Sequence, residues 1–391
     1  LITILFYQLD EKISLFRRLS LFFSSFIFGG VFYLPIWYHS KFQFHWLTAG
    51  RPVEQGSIGL IYRFLYKTFY AFCAEKKVIA EFVRYNPMIG NHLFANAKAL
   101  IFAGVYFQGE EAHNWYQIGL KIIERELLEQ ILADGGNFEL SPMYHLIFLE
   151  DLLDLVNIHL TYDRALPDGV VEKIMPMFSW LETMTHPDGE ISFFNDAALG
   201  ITPTVQEIRD YGDRLCLLPK LGAAEAVGVV THLRDSGYTR ITMGQAVALI
   251  DHAAVGPDYL PGHAHADTLS FELSLFGHRV VVNSGTSVYG VGPLRQLQRS
   301  TAMHSTVVVD DENSSEVWGS FRVARRARVL NVSDDDYHDG VVRLSACHDG
   351  YKRLAGKPLH CREWLFEDGV LTILDTVVGK GRHDVVSVLP L

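Results

Sequence analysis

From about Ile58 to Leu233 apolar residues recur at three- and four-residue steps, the spacing of one helix face. Leu93, Phe94, Ala97, Leu100, Ile101 and Val105 define one such helix. Ile118, Ile122, Ile123, Leu127, Leu128 and Ile131 define a second, from Trp115 to Leu132, which the turn residues Asp134-Gly-Gly-Asn137 terminate. A third is predicted from Pro142 to about Leu160, with Ser141 as its cap and Pro142 in its first turn. Long helices joined by short glycine-containing turns predict a layered bundle or toroid.

Near Arg234-Asp-Ser-Gly237 the period changes from 3.6 to 2. Tyr238–Met243, Val247–Ile250, Arg279–Val282, Ser305–Val309, Arg326–Leu330, Gly340–Leu344, Glu363–Phe366 and Val370–Leu374 all read as strands, several separated by Asp-Gly turns. Short strands without intervening helices predict an antiparallel β-sandwich. The expected layout is a hydrophobic segment over residues 1–57, a helical domain over 58–233 and a sandwich over 234–391.

One stretch interrupts the strand pattern with chemistry. Pro261-Gly-His-Ala-His-Ala-Asp267 runs into Thr268–Leu275, where Leu269, Phe271, Leu273 and Leu275 alternate with smaller or polar residues. If the extended backbone reaches back to His263, then His263 and His265 share a face, suited to a metal ion or to proton transfer.

With 49% hydrophobic and 20% charged residues among 391, the chain is globular. Its formal charge of −11 gives no basic surface for nucleic acid. Four cysteines without CxxC spacing suggest neither a zinc ribbon nor a disulfide scaffold; Cys347 and Cys361 pair only if their strands are neighbours. After Arg17-Arg18 the run Leu19–Ser40 carries no Asp, Glu, Lys or Arg, which reads either as a signal anchor with membrane contact or the core of a secretory signal, or as a buried pair of aromatic-rich helices broken at Gly29-Gly30 and Pro35. The chain begins at Leu1 and ends in a strand-like run, Val386–Leu391, so both ends are read as truncated.

Three constellations bear on function. Asn91 and His92 open a helix, where free amides favour anions, or else act as an ordinary cap and first-turn residue. The run Asp134–His145 gathers Glu139, Ser141, Tyr144 and His145 near another helix start; Tyr144 is either a core aromatic or a base whose pKa nearby positive charge must lower. His265, Asn283 and His304, on separate strands of one sheet, either converge on zinc or form a hydrogen-bonded strip, with Asn283 the weakest ligand of the three.

Gly90-Asn-His, the Asp134–His145 run, Gly262-His-Ala-His-Ala-Asp-Thr-Leu-Ser-Phe-Glu272 and Arg299-Ser-Thr-Ala-Met-His-Ser-Thr306 together resemble the heparinase II/III family of polysaccharide lyases. Asp188–Asp196 and Ser314–Gly319 are similar to further family segments, and the resemblance covers roughly residues 86 to 380. It implies an N-terminal incomplete (α/α) toroid and a C-terminal antiparallel β-sandwich with the active site between them. It also implies β-elimination of a uronate-containing acidic polysaccharide by a bacterial enzyme of the periplasm or exterior, with a cytoplasmic or membrane-anchored location as the alternative.

In that reading Tyr144 takes the C5 proton or returns one to the leaving O4, Asn91 with His92 or His263 holds the carboxylate, and His263 shares the acid/base work. Glu139 and Arg299 are the expected substrate contacts, and His265, Asn283 and His304 an expected structural zinc site, although the family usually has Asp at position 283. Two other readings are a non-catalytic glycan-binding or assembly protein and a toroidal glycoside hydrolase using Glu139 and Asp196.

Overall fold

A computed structural model describes residues 90–218, 229–367 and 369–391, with only the backbone of residues 334–337. The hydrophobic run 19–40, the expected start of the helical region near residue 58, and Cys73 lie outside the described residues. Pro87–Leu391 form one compact unit.

Among the described residues five helices come first: α1 (Asn91–Tyr106), α2 (Glu110–Gln130), α3 (Pro142–Thr161), α4 (Val170–Thr183) and α5 (Val205–Arg214). The three helices expected from apolar spacing are α1, α2 and α3. α3 starts where its cap predicts, since Ser141 Oγ accepts from the Tyr144 amide at 3.3 Å and Pro142 occupies the first turn. α3 is also buried along most of its length, from Met143 to Ile158, so it forms the centre of the helical layer. No described helix is long and apolar enough to cross a membrane.

The strands follow. β1 (Val230–Leu233), β2 (Tyr238–Met243), β3 (Ala246–Asp251), β4 (Phe271–Leu275) and β5 (His278–Val281) form an antiparallel sheet in that order. Val230–Leu233, expected to close the helical region, is instead a strand paired with Tyr238–Ile241 across a tight turn. A four-stranded antiparallel sheet runs β12 (Val370–Val378), β11 (Leu359–Glu367), β10 (Val341–His348), β9 (Val329–His338). Two short pairs complete the strands: β6 (Val307–Val309) with β13 (Val385–Ser387), and β7 (Glu316–Trp318) with β8 (Arg322–Ala324).

Alternation decides which face each strand buries. Ile241, Ala248, Ile250, Phe271 and Val281 of the first sheet share one core with Val342, Leu344, Ala346, Trp364 and Phe366 of the second, so the two sheets pack as a sandwich. The opposite face of the first sheet presents Tyr238 and Leu249 to Trp180, Met184 and Phe194 of the helical half. β3 is therefore covered on both sides, which explains its nearly continuous apolar sequence. Truncating Trp180, which has no exposed surface, costs about 3–5 kcal/mol by cavity formation.

β10 and β11 are neighbours after all. Cys347 stands directly opposite Cys361, and the two form a disulfide, a pairing that depends on register and so is invisible to cysteine spacing. Cys216 is free and exposed.

Candidate active site

The site assembles where the helical layer meets the loop before β4. Gly90, at φ 72°, caps α1, and a Cβ there would stand 2.5 Å from Leu260 Cδ2 and 2.8 Å from Glu139 Oε1. Only glycine lets the α1 start approach both. The Asp134-Gly-Gly turn is pinned to the β1–β2 hairpin by Asp134 Oδ2, which accepts from the Ser236 amide at 2.7 Å and its hydroxyl at 2.8 Å. Leu140 and Asn195 both take left-handed φ values of 58°, uncommon for residues with a Cβ and each worth on the order of 1–2 kcal/mol of strain. Asn195 Nδ2 donates to Leu140 O at 2.8 Å, so the two strained residues brace each other beside the site.

A chain of contacts links the polar groups. Asn91 donates its amide and Nδ2 to the two oxygens of Glu139, at 3.3 and 3.2 Å. Glu139 Oε2 lies 3.4 Å from His263 Nε2, and His263 Nδ1 hydrogen-bonds Asp196 Oδ2 at 2.9 Å. The His263 ring stacks on Tyr144 with centroids 3.9 Å apart, and the Tyr144 hydroxyl donates to that of Tyr289 at 3.2 Å. Tyr289 and Phe321, 37% and 47% exposed, stack on each other and meet the His263 ring edge-on, forming an aromatic wall. His92 follows Asn91 on the first turn of α1, with part of the residue reaching solvent and a ring whose pKa is lowered by desolvation and then by the charge of His263.

The structure thus brings Asn91, Glu139, Tyr144 and His263 together, with His92 beside them. It does not bring Arg299 to them as a ligand contact. Arg299 has no exposed surface and donates to the carbonyls of Ala264 (3.1 and 2.9 Å), Ser320 (3.1 Å) and Arg322 (3.4 Å). It ties the histidine loop to the β7–β8 hairpin, and burial lowers its pKa to about 10.

The expected ligand set also changes. His265, Asp267 and His304 are all buried, with candidate ligand atoms within 4.8 Å of one another. Asp267 joins the two histidines in this cluster, while Oδ1 of Asn283 accepts from the Gly285 amide at 3.2 Å. The loop from His263 to Asp267 is not strand, yet His263 and His265 do converge: both reach Asp196, one to each oxygen.

Burial dominates the electrostatics. It raises the Glu139 pKa against the opposing pull of His263 and the Asn91 amide. Tyr144 does not have the lowered pKa that the sequence reading required: burial, then the Tyr289 hydroxyl, Asp196 and Glu139, drive it well above its usual value and keep the hydroxyl protonated. Asp196 is the exception. Burial opposes its ionisation, but hydrogen bonds from His263, His265 and Arg295 outweigh that and hold it well below the carboxylate range.

Asp196, Arg295, Tyr289 and Phe321 were not selected as lyase residues from sequence. The segment Asp188–Asp196 carried a signal, because it lay within the family resemblance. The other three sit on loops or a six-residue helix, α6 (Pro293–Gln298), with no periodic or spacing cue.

Residues 62–214 match the family described as Heparinase II/III N-terminus, and residues 228–391 match Heparinase II/III-like, C-terminal. A heparin-sulfate lyase of Bacteroides stercoris is 29% identical over 245 residues, 57% of this chain and 36% of that protein. One of Pedobacter heparinus is 27% identical over 248 residues, with the same shares covered. The chain therefore spans about a third of the length of these curated relatives. A solved heparinase III structure superposes with a TM-score of 0.63 at 23% identity, covering 79% of this chain and 49% of that one, a likeness of fold.

Proposed function

The chain belongs to the heparinase II/III family, and on that premise we propose that it is a polysaccharide lyase cleaving a uronate-containing acidic polysaccharide by β-elimination. The observation that carries this reading is the stack of Tyr144 on His263 beside the Asn91–Glu139 pair. The curated relatives named heparin-sulfate lyase make a heparan-type glycosaminoglycan the first substrate to test.

A proton α to a carboxylate is weakly acidic, so the site must neutralise that carboxylate and offer donors where charge grows. Asn91, whose Nδ2 keeps a second hydrogen beyond the one given to Glu139, and His92 beside it hold the carboxylate. The C5–H bond breaks, its electrons form the C4–C5 double bond, and the C4–O4 bond breaks as O4 gains a proton. Tyr144, kept protonated by its surroundings, suits the donor half at O4, and His263 the acceptor half at C5. The wall of Tyr289 and Phe321 offers an apolar face to a sugar ring.

The family also implies zinc, and the donor set fits it. His265 Nδ1, both ring nitrogens of His304 and Asp267 Oδ2 are buried without hydrogen-bond partners, which two imidazoles and a carboxylate explain as ligands. Zinc there would brace the loop beneath His263, and no step of the elimination needs it. The five described helices would be part of the incomplete (α/α) toroid. The disulfide supports an oxidising compartment, periplasmic or extracellular.

The hydrolase reading loses ground, because Glu139 and Asp196 flank one imidazole and are both buried instead of facing each other across open space. Digestion of heparan-type chains, alginate and acidic exopolysaccharide with ultraviolet detection tests the proposal: unsaturated ends support it, and saturated ends alone overturn it.

A further inference from the structure

Residue 196 touches every element that carries proton-transfer groups. Its backbone amide donates to His263 O at 3.1 Å, and its carbonyl accepts from Ser141 Oγ at 2.7 Å, the same hydroxyl that caps the helix bearing Tyr144. Its carboxylate takes His263 Nδ1 on Oδ2 and His265 Nε2 on Oδ1, both at 2.9 Å. Arg295, also without exposed surface, closes a two-pronged bridge, donating to Oδ2 at 2.7 Å and to Oδ1, and donates to Thr286 Oγ1 at 3.0 Å. The Arg295 guanidinium in turn lies 5.2 Å from the Tyr289 ring centre and 5.5 Å from that of Phe321. Asp196 itself has no exposed surface and so cannot touch a polysaccharide.

We propose that Asp196 is the positioning residue of the site: it fixes the His263 ring and the hydrogen on its Nδ1, and holds His265 with Nδ1 turned away toward Asp267 and His304. A carboxylate can only accept, so Nδ1 of His263 must donate to it, leaving Nε2 on the side of Glu139 and the cleft. The same logic assigns the hydrogen of His265 to Nε2 and frees its partnerless Nδ1. Arg295 makes this arrangement affordable, since a buried carboxylate serving two imidazoles needs a full opposing charge. One residue therefore sets both imidazoles of the His-x-His loop, and through Ser141 it also anchors the start of the helix carrying Tyr144.

The inference rests on the lyase reading for its kinetic consequence but not for its geometry, and the tests separate the two. Asp196→Asn keeps size and main-chain bonds while replacing one acceptor oxygen with a donor. With wild type producing unsaturated ends, the variant is expected to lose ~10²-fold or more in kcat with KM changed less than about threefold. In a His263→Ala background the same substitution should cost little more, because its effect passes through that ring. Retained kcat, a loss expressed only in KM, or losses that multiply in the double variant would each overturn the proposal.

If wild type makes no unsaturated ends, or Asp196→Asn does not fold, imidazole ¹⁵N NMR of the wild-type chain decides instead, with the His263 signals identified by their disappearance in His263→Gln. A hydrogen on Nδ1 of His263 supports the inference, and a bare Nδ1 with the hydrogen on Nε2 alone refutes it.

Discussion

The Tyr144 ring lies on the imidazole of His263 at a tilt of 30°, with ring centroids 3.9 Å apart. One ring comes from the first turn of a helix and the other from a loop 119 residues later in the chain, and the Ser141 cap and the histidine loop that carry them are both tied to residue 196. Removing the imidazole deletes one face of the tyrosine pocket and, on the proposed mechanism, the group that accepts the C5 proton. His263→Ala is expected to lower kcat by about 10²–10⁴-fold, the usual range for a general acid or base, and to lower the melting temperature by a few degrees, since the buried Asp196 carboxylate loses a partner while Arg295 and His265 remain. Steady-state rates and a thermal melt on one preparation check both halves.

Arg299 gives the opposite expectation. Its donors go to four carbonyl contacts inside the protein. Arg299→Ala should therefore destabilise the fold by about 3 kcal/mol or more, since it leaves carbonyls of the histidine loop and the β7–β8 hairpin unpaired. A denaturant titration measures this. A stable variant with only a raised KM would return Arg299 to substrate binding.

His145 makes acid stability predictable. Its ring stacks on Trp180, Nδ1 accepts from the Asn137 amide at 3.3 Å, and Nε2 donates to Met177 O at 3.0 Å, a pattern only the neutral ring satisfies. Burial lowers its pKa from 6.5 to about 3. The unfolded chain thus takes up this proton first as pH falls. The stabilisation is complete above pH 6.5 and is lost progressively between 6.5 and 3. His145→Gln should flatten the fall of melting temperature across that window, and an unchanged slope would contradict the assignment.

The cluster of His265, Asp267 and His304 predicts metal in the isolated protein. Elemental analysis should find about one zinc per chain, absent from His304→Ala, and chelation should lower the melting temperature by several degrees. Metal-free protein with an unchanged melt after zinc addition would leave the cluster a purely polar one.

What could be read in the sequence follows from the range of the interactions. Ser141 and Pro142 announce the start of α3 because capping is local, and Tyr238–Met243 announces β2 because alternation is local. The His263-x-His265 pair was visible as a unit, and its two rings do share a target. That target was not visible, because Asp196 reaches the pair across the fold from a turn set by the left-handed Asn195. Asp267 has no spacing signal that marks it as a candidate ligand, because only the folded loop turns it toward His304. The raised pKa of Tyr144 and the full burial of Arg299 follow from desolvation, which packing creates and residue spacing does not encode. The Cys347–Cys361 bond depends on the register of β10 against β11.

Product chemistry compared between wild type and Tyr144→Phe tests most directly whether elimination uses Tyr144 as its proton-transfer group. On an acidic uronate polysaccharide the wild-type chain should generate ultraviolet-absorbing unsaturated ends. The variant, lacking one hydroxyl, should fold normally and lose at least about 10²-fold of that rate. Products with only saturated ends, or a Tyr144→Phe variant as active as wild type, would contradict it.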